Sequence, residues 1–118
     1  MAHGSVDWFQ IDTDDIGDTE RFYGDLFDWT FTADPEAPAY RLVTTPGADG
    51  PSGGVFGGTA HRATFFVVVT DVEAAAEQAE RLGGKVVDPP KTTPGGLTFA
   101  HLHDPAGNHF GIYSPPAH

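Results

Sequence analysis

The 118-residue chain is long enough for one compact domain with a modest core and too short for two independent ones. It has no cysteine, which excludes disulfides and thiolate chemistry, and no apolar run of membrane-spanning length. Seventeen acidic against six basic residues give a formal net charge of −11, a surface that repels phosphate backbones and anionic lipid and so argues against nucleic-acid and membrane partners.

Residues 1–10, MAHGSVDWFQ, have neither the basic start nor the apolar stretch of a secretory leader, so a cytoplasmic protein is expected. A first strand follows, in which Phe9 and Ile11 alternate with Trp8, Gln10 and Asp12. Asp14 or Asp15 then caps a helix carrying Ile16, Phe22, Tyr23, Leu26 and Phe27. Strand candidates come next at WTFT, AYRLVT and GGVFGG. The last overlaps TTPGADGPSGGVFGG, residues 44–58, which reads as a long surface loop or a flexible rim over a site. His61 lies in a connector. Beyond it Phe65, Val67 and Val69 alternate with Thr64, Phe66, Val68 and Thr70, a run of aromatic and β-branched residues suited to a strand. In TDVE, Thr70 is placed to cap a second helix with Glu73 reaching back as a capping box. Val72, Ala75, Ala76, Ala79 and Leu82 recur at helical spacing, and Gly83 and Gly84 end the helix. KVV opens a strand, PPKTTPGG reads as loop, and LTFAHLH with HFGIY makes a hairpin around DPAGN, where Asp104 caps its own turn. His3 and His118, near the termini, receive no role.

The chain repeats itself. WFQIDTDDIGDTERFYGDLFDW and TFFVVVTDVEAAAEQAERLGGK align at an offset of 56, which pairs Asp15 with Asp71, Phe9 with Phe65, Ile11 with Val67 and Leu26 with Leu82. Each half reads β-α-β-β-β: one module over about residues 5–58, a connector over about 59–62, and a second module over about 63–115. One such module cannot bury both faces of its sheet. Two in tandem predict a single α+β domain, a curved half-barrel sheet with a concave cavity.

These segments, VDWFQIDTDDIGDTERFYGDLFDW and VVVTDVEAAAEQAERLGGKVV followed by DPAGNHFGIY, resemble the vicinal oxygen chelate superfamily. That superfamily holds glyoxalases, ring-cleaving dioxygenases, fosfomycin-modifying enzymes and bleomycin-binding resistance proteins. The resemblance covers about residues 5–115 and implies paired βαβββ modules, commonly in a homodimer. It leaves the reaction open, because one scaffold hosts unrelated chemistries. In the superfamily's metalloenzymes, His or Glu side chains project from the first and last strands of each module. The resemblance places Trp8, Thr64, Gly111 and, through the offset of 56, Val55 at those positions. None offers the imidazole or carboxylate that a divalent metal needs, so no cofactor is expected there.

Three histidines in AHLHDPAGNHFGIY raise a separate possibility. In a regular hairpin Leu97, Phe99, His101 and His103 share one face, and His109, Gly111 and Tyr113 share a face on the return strand. Phe110 and Ile112 then pack under the helices. His101, His103 and His109 form a relocated divalent-metal site, an acid–base group titrating near neutral pH, or ordinary ladder residues. A pocket of Trp8, Gln10, Phe66, Val68, His101 and Tyr113 would suit a flat, partly apolar ligand, unless Trp8 and Phe66 simply fill the barrel. Three functions follow. The first is a metal-free protein of the bleomycin-resistance type that binds a small aromatic molecule. The second is a lyase, isomerase or dioxygenase, using either relocated histidines and a metal or His101, His103 or His109 as general base with Gln10 or Tyr113 orienting the substrate. The third is an interaction module whose acidic surface and 44–58 loop meet a partner protein.

Overall fold

The computed structural model describes residues 3–116, so His118 lies outside the described residues. The described residues divide into two compact units: Trp8–Ala63, and residues 64–116 together with residues 3–7. Each carries the expected α+β pattern of strand, helix and three strands.

The N-terminal unit contains β1 (Val6–Thr13, from Trp8), α1 (Ile16–Phe27), β2 (Thr30–Asp34), β3 (Ala37–Thr44) and β4 (Gly53–Gly57). Its strands lie in the order β2-β3-β4-β1, with β1 and β4 parallel and the other neighbours antiparallel. Asp15 caps α1, its carboxylate accepting from the Asp18 N–H at 3.0 Å. The helix lies over the sheet face that bears Phe9, Ile11, Val43 and Val55. Ile16 reaches Gly57, the Arg41 guanidinium donates to Glu20 at 2.7 Å, and Tyr23 stacks on Trp29, which in turn meets Phe9. Ile16, Glu20 and Tyr23 therefore form the inward stripe. Phe22, Leu26 and Phe27 stay 60 %, 58 % and 49 % exposed, so the apolar spacing of this helix overstates what it buries.

The C-terminal unit contains β5 (Arg62–Val68, from Thr64), α2 (Val72–Arg81), β6 (Lys85–Thr92), β7 (Thr98–His103) and β8 (His109–Ser114). The order is β5-β8-β7-β6, with β5 and β8 parallel and β7 antiparallel to both neighbours. α2 packs Val72 and Ala76 onto Val69, Ala100, Leu102 and Ile112, with Val67, Val86 and Phe110 at the margin. Fully burying a side chain such as Leu102 stabilises the fold by about 2 kcal/mol.

Two local expectations are corrected. The cap of α2 is Asp71, not Thr70: Asp71 has the extended backbone a cap needs, and its carboxylate accepts from Ala74 at 3.0 Å. The Thr70 N–H goes instead to His3 Nδ1 at 3.1 Å, which gives His3 a structural partner. Residues 85–92 form one strand through Pro89 and Pro90, where a loop was expected from PPKT. The prolines are tolerated because β6 ends the sheet and its pairing with β7 slips between Val86 and Asp88 and again before Lys91.

Candidate functional site

Strand register settles which side chains share a face, since ladder partners point the same way. In the N-terminal unit Tyr40, Phe56 and Asp12 form one row across β3, β4 and β1, and Leu42, Gly54 and Gln10 form the next. With Trp8, they make the face opposite α1. Trp8 Nε1–H donates to the Tyr40 hydroxyl at 3.1 Å. The Gln10 amide donates to one oxygen of the buried Asp12 carboxylate at 2.8 Å, and Arg62 donates to the other at 2.9 Å. Burial pushes the Tyr40 phenol up to about 12, although the Trp8 hydrogen bond opposes part of that rise. Tyr40 therefore remains a neutral hydroxyl throughout the physiological range. Nearby, on the exposed rim of the same unit, His61 pairs with Asp14 at 2.8 Å and holds that carboxyl below its usual range.

In the C-terminal unit the face opposite α2 bears Phe66, Val68, Phe99, His101, His103, His109, Gly111 and Tyr113, as strand alternation predicts. Their rings meet edge to face: Phe66 with His101 at 5.5 Å between centroids, Phe66 with Tyr113 at 6.3 Å, and Phe99 with His101 at 6.0 Å. Phe66, Val68, His101 and Tyr113 are buried. The Tyr113 hydroxyl donates to Asp7 at 2.7 Å. Burial first, and that carboxylate second, push the phenol well above its ordinary value. Thr64 is buried on this face too, and its hydroxyl has no hydrogen-bond partner among the described residues.

The equivalence of Gly111 needs one correction. β5 pairs Phe66 with Gly111, and β1 pairs Gln10 with Gly54. Gln10 and Phe66 are 56 residues apart, but Gly54 and Gly111 are 57 apart. The second half thus holds one more residue between its first and last strands, and Gly54, not Val55, occupies the counterpart position. Val55 points the other way, fully buried on the α1 side. Both glycines are sterically committed. A Cβ at Gly54 would collide with the Tyr40 ring and hydroxyl, and a Cβ at Gly111 would collide with the Phe66 ring.

The residues at the four inherited positions are therefore Trp8, Gly54, Thr64 and Gly111, and they do not fit a divalent cation. The hairpin histidines lie side by side on one face. His103 stands opposite His109 and His101 opposite Gly111. His101 Nδ1 and His109 Nε2 lie 2.9 Å apart in a hydrogen bond, so these nitrogens are turned on each other and not on a shared third point. The His103 ring meets His109 at 5.4 Å, nearly perpendicular. Among the described residues no three His, Cys, Asp or Glu side chains converge as metal ligands.

Of the residues singled out from sequence, Phe66, His101, His109 and Tyr113 come together in one unit, while Trp8 and Gln10 share a face in the other. Tyr40 was overlooked. The signal was available in AYRLVT, whose alternation puts Tyr40 on the same side as Leu42, but nothing local marks its neighbour as a glycine at a ligand position.

Known proteins place the chain. Residues 8–113 match the glyoxalase-like domain family. The chain is 28 % identical to the anthracycline biosynthesis protein DnrV of Streptomyces peucetius and 32 % identical to DauV of Streptomyces sp. (strain C5), in each case over 96 % of this chain and 48 % of the relative. It thus spans about half the length of the curated relatives it matches. The Mn(II)-bound glyoxalase of Novosphingobium aromaticivorans has the same fold, with a TM-score of 0.69 and 20 % identity over 98 % of this chain and 40 % of that one. The chain belongs to the glyoxalase-like domain family of the vicinal oxygen chelate superfamily.

Proposed function

We propose that this protein binds a flat, partly apolar organic molecule without a divalent cation, in the manner of the bleomycin-binding resistance proteins. The observation that carries this reading is the pair of glycines, Gly54 and Gly111, each with an aromatic ring filling the space where a ligand side chain would start. Within the N-terminal unit Trp8 supplies stacking surface and Gln10 a directional hydrogen-bonding group; within the C-terminal unit Phe66, Val68, His101 and Tyr113 form a separate buried aromatic cluster. The names of DnrV and DauV connect those proteins with anthracyclines, which agrees with a polycyclic aromatic ligand here. A homodimer in the cytoplasm belongs to the same proposal. The superfamily resemblance supports the dimer. The location agrees with the finding that no helix among the described residues is long and apolar enough to cross a membrane.

A titration with fluorenone and with fluorene, followed by ligand-observed NMR, tests this. Saturable binding of at least one probe to chelator-treated protein is expected. Binding that disappears on chelation and returns with Mn(II) or Zn(II), or no saturable binding of either probe, overturns the reading.

The contact between His101 and His109 favours a second reading, an enzyme in which this pair moves a proton to or from the substrate. Exchange of the acidic C–H protons of small ketones in D₂O, lost in His109→Gln, would support it.

A further inference from the structure

Tyr40 presents a hydroxyl at the place where the superfamily's metalloenzymes present a ligand. Its backbone sits in the row of Phe56 and Asp12, yet its ring leans across Gly54 in the adjoining row toward Trp8. Only a glycine at 54 leaves room for that pose. The Trp8 N–H takes up one lone pair of the tyrosyl oxygen, and this fixes the direction of the O–H bond. The hydroxyl hydrogen has no acceptor among the described residues. Gln10, directly across from Gly54, spends its amide N–H on Asp12, so its side-chain oxygen is turned away from that carboxylate. The face thus carries an oriented O–H donor backed by aromatic surface.

We propose that Tyr40 is the residue that selects a carbonyl oxygen on the bound molecule, by donating its O–H to that oxygen. This rests on the binding function proposed above and narrows it to flat ligands bearing a ketone or quinone oxygen. Trp8 acts as a positioning residue, since it holds the tyrosyl oxygen through its own N–H. The raised pKa of Tyr40 agrees with this role, because a hydroxyl that stays protonated stays a donor.

Fluorenone and fluorene share one flat three-ring skeleton and differ by a single carbonyl. In Tyr40→Phe, which removes one oxygen and leaves the ring over Gly54, the ratio of fluorenone to fluorene affinity should fall about tenfold. Trp8→Phe should lower the ratio by a smaller factor, since the donor remains but is no longer held. Thermal denaturation of each variant verifies that it is folded. If Tyr40→Phe weakens both probes equally, or leaves the ratio unchanged, Tyr40 is a packing residue and the proposal fails while the binding function stands. If the wild-type protein binds neither probe, both fall.

Discussion

Replacing Gly111 by alanine tests the packing that displaced the inherited ligand position. Gly111 does not have a positive φ, so alanine meets no backbone strain there. With space to spare, the change would stabilise the protein by about 0.4–1 kcal/mol, because alanine has less freedom to lose on folding. The structure leaves no such space. The new methyl would strike Cε2 and Cδ2 of Phe66 and approach its Cζ to 2.8 Å, and Phe66 is itself buried among His101 and Tyr113. Overpacking of this kind costs about 1–3 kcal/mol. The net expectation is a loss of about 1–2 kcal/mol, or a fall in Tm of about 4–8 °C for a domain of this size. Urea denaturation followed by far-UV circular dichroism measures it. Phe66→Leu, which makes room, should recover at least about 1 kcal/mol relative to additivity when combined with Gly111→Ala. If Gly111→Ala is as stable as the parent, or the two changes add, the ring does not occupy that space and the argument fails.

Two other outcomes follow from local geometry. Asp71→Ala should cost about 1 kcal/mol in the same assay, because Ala74 loses its acceptor, while Thr70→Ala should change stability by less than about 0.5 kcal/mol; the reverse order would restore Thr70 as the cap. The Asp104 carboxylate accepts from the Asn108 side chain and from the Asn108 and Ala106 N–H groups, which holds its pKa below the ordinary value. A depressed carboxylate stabilises the fold above its unfolded pKa of about 3.9 and loses that effect as the pH drops through the lower folded value. The gap in Tm between the parent and Asp104→Ala should therefore be full near pH 6 and close toward pH 2, and a gap that persists unchanged in acid would show that the carboxylate's charge is irrelevant to the turn.

Most of the architecture was legible because the chain states it twice. Phe65, Val67 and Val69 alternate, Val72 to Ala79 follow a helical period, and DPAGN announces a turn, so strand, helix and hairpin each had an independent local signature. Features set by distant partners were not legible. The offset of 56 holds from Phe9 to Leu26 and slips by one before Gly54, because the additional residue lies in a stretch with no periodic pattern to expose it. Thr70 and Asp71 are adjacent and chemically able caps, and only backbone geometry chooses between them. Phe22 and Leu26 look like core residues because the sequence does not show that the inward stripe runs through Ile16, Glu20 and Tyr23. At the candidate site the sequence identified the side chains but not their pairing. The bonds between His101 and His109, and between Trp8 and Tyr40, span 8 and 32 residues and depend wholly on strand register.

Strand β6 has a consequence for how this protein behaves at high concentration. It is an edge strand in which the adjacent Pro89 and Pro90 each lack a main-chain donor, and Lys85, Asp88 and Lys91 place charges along it. A foreign chain approaching that strand finds an interrupted hydrogen-bonding template and charged side chains. Sheet growth through this border is thereby discouraged, which safeguards a small, glycine-rich fold against fibre-like stacking.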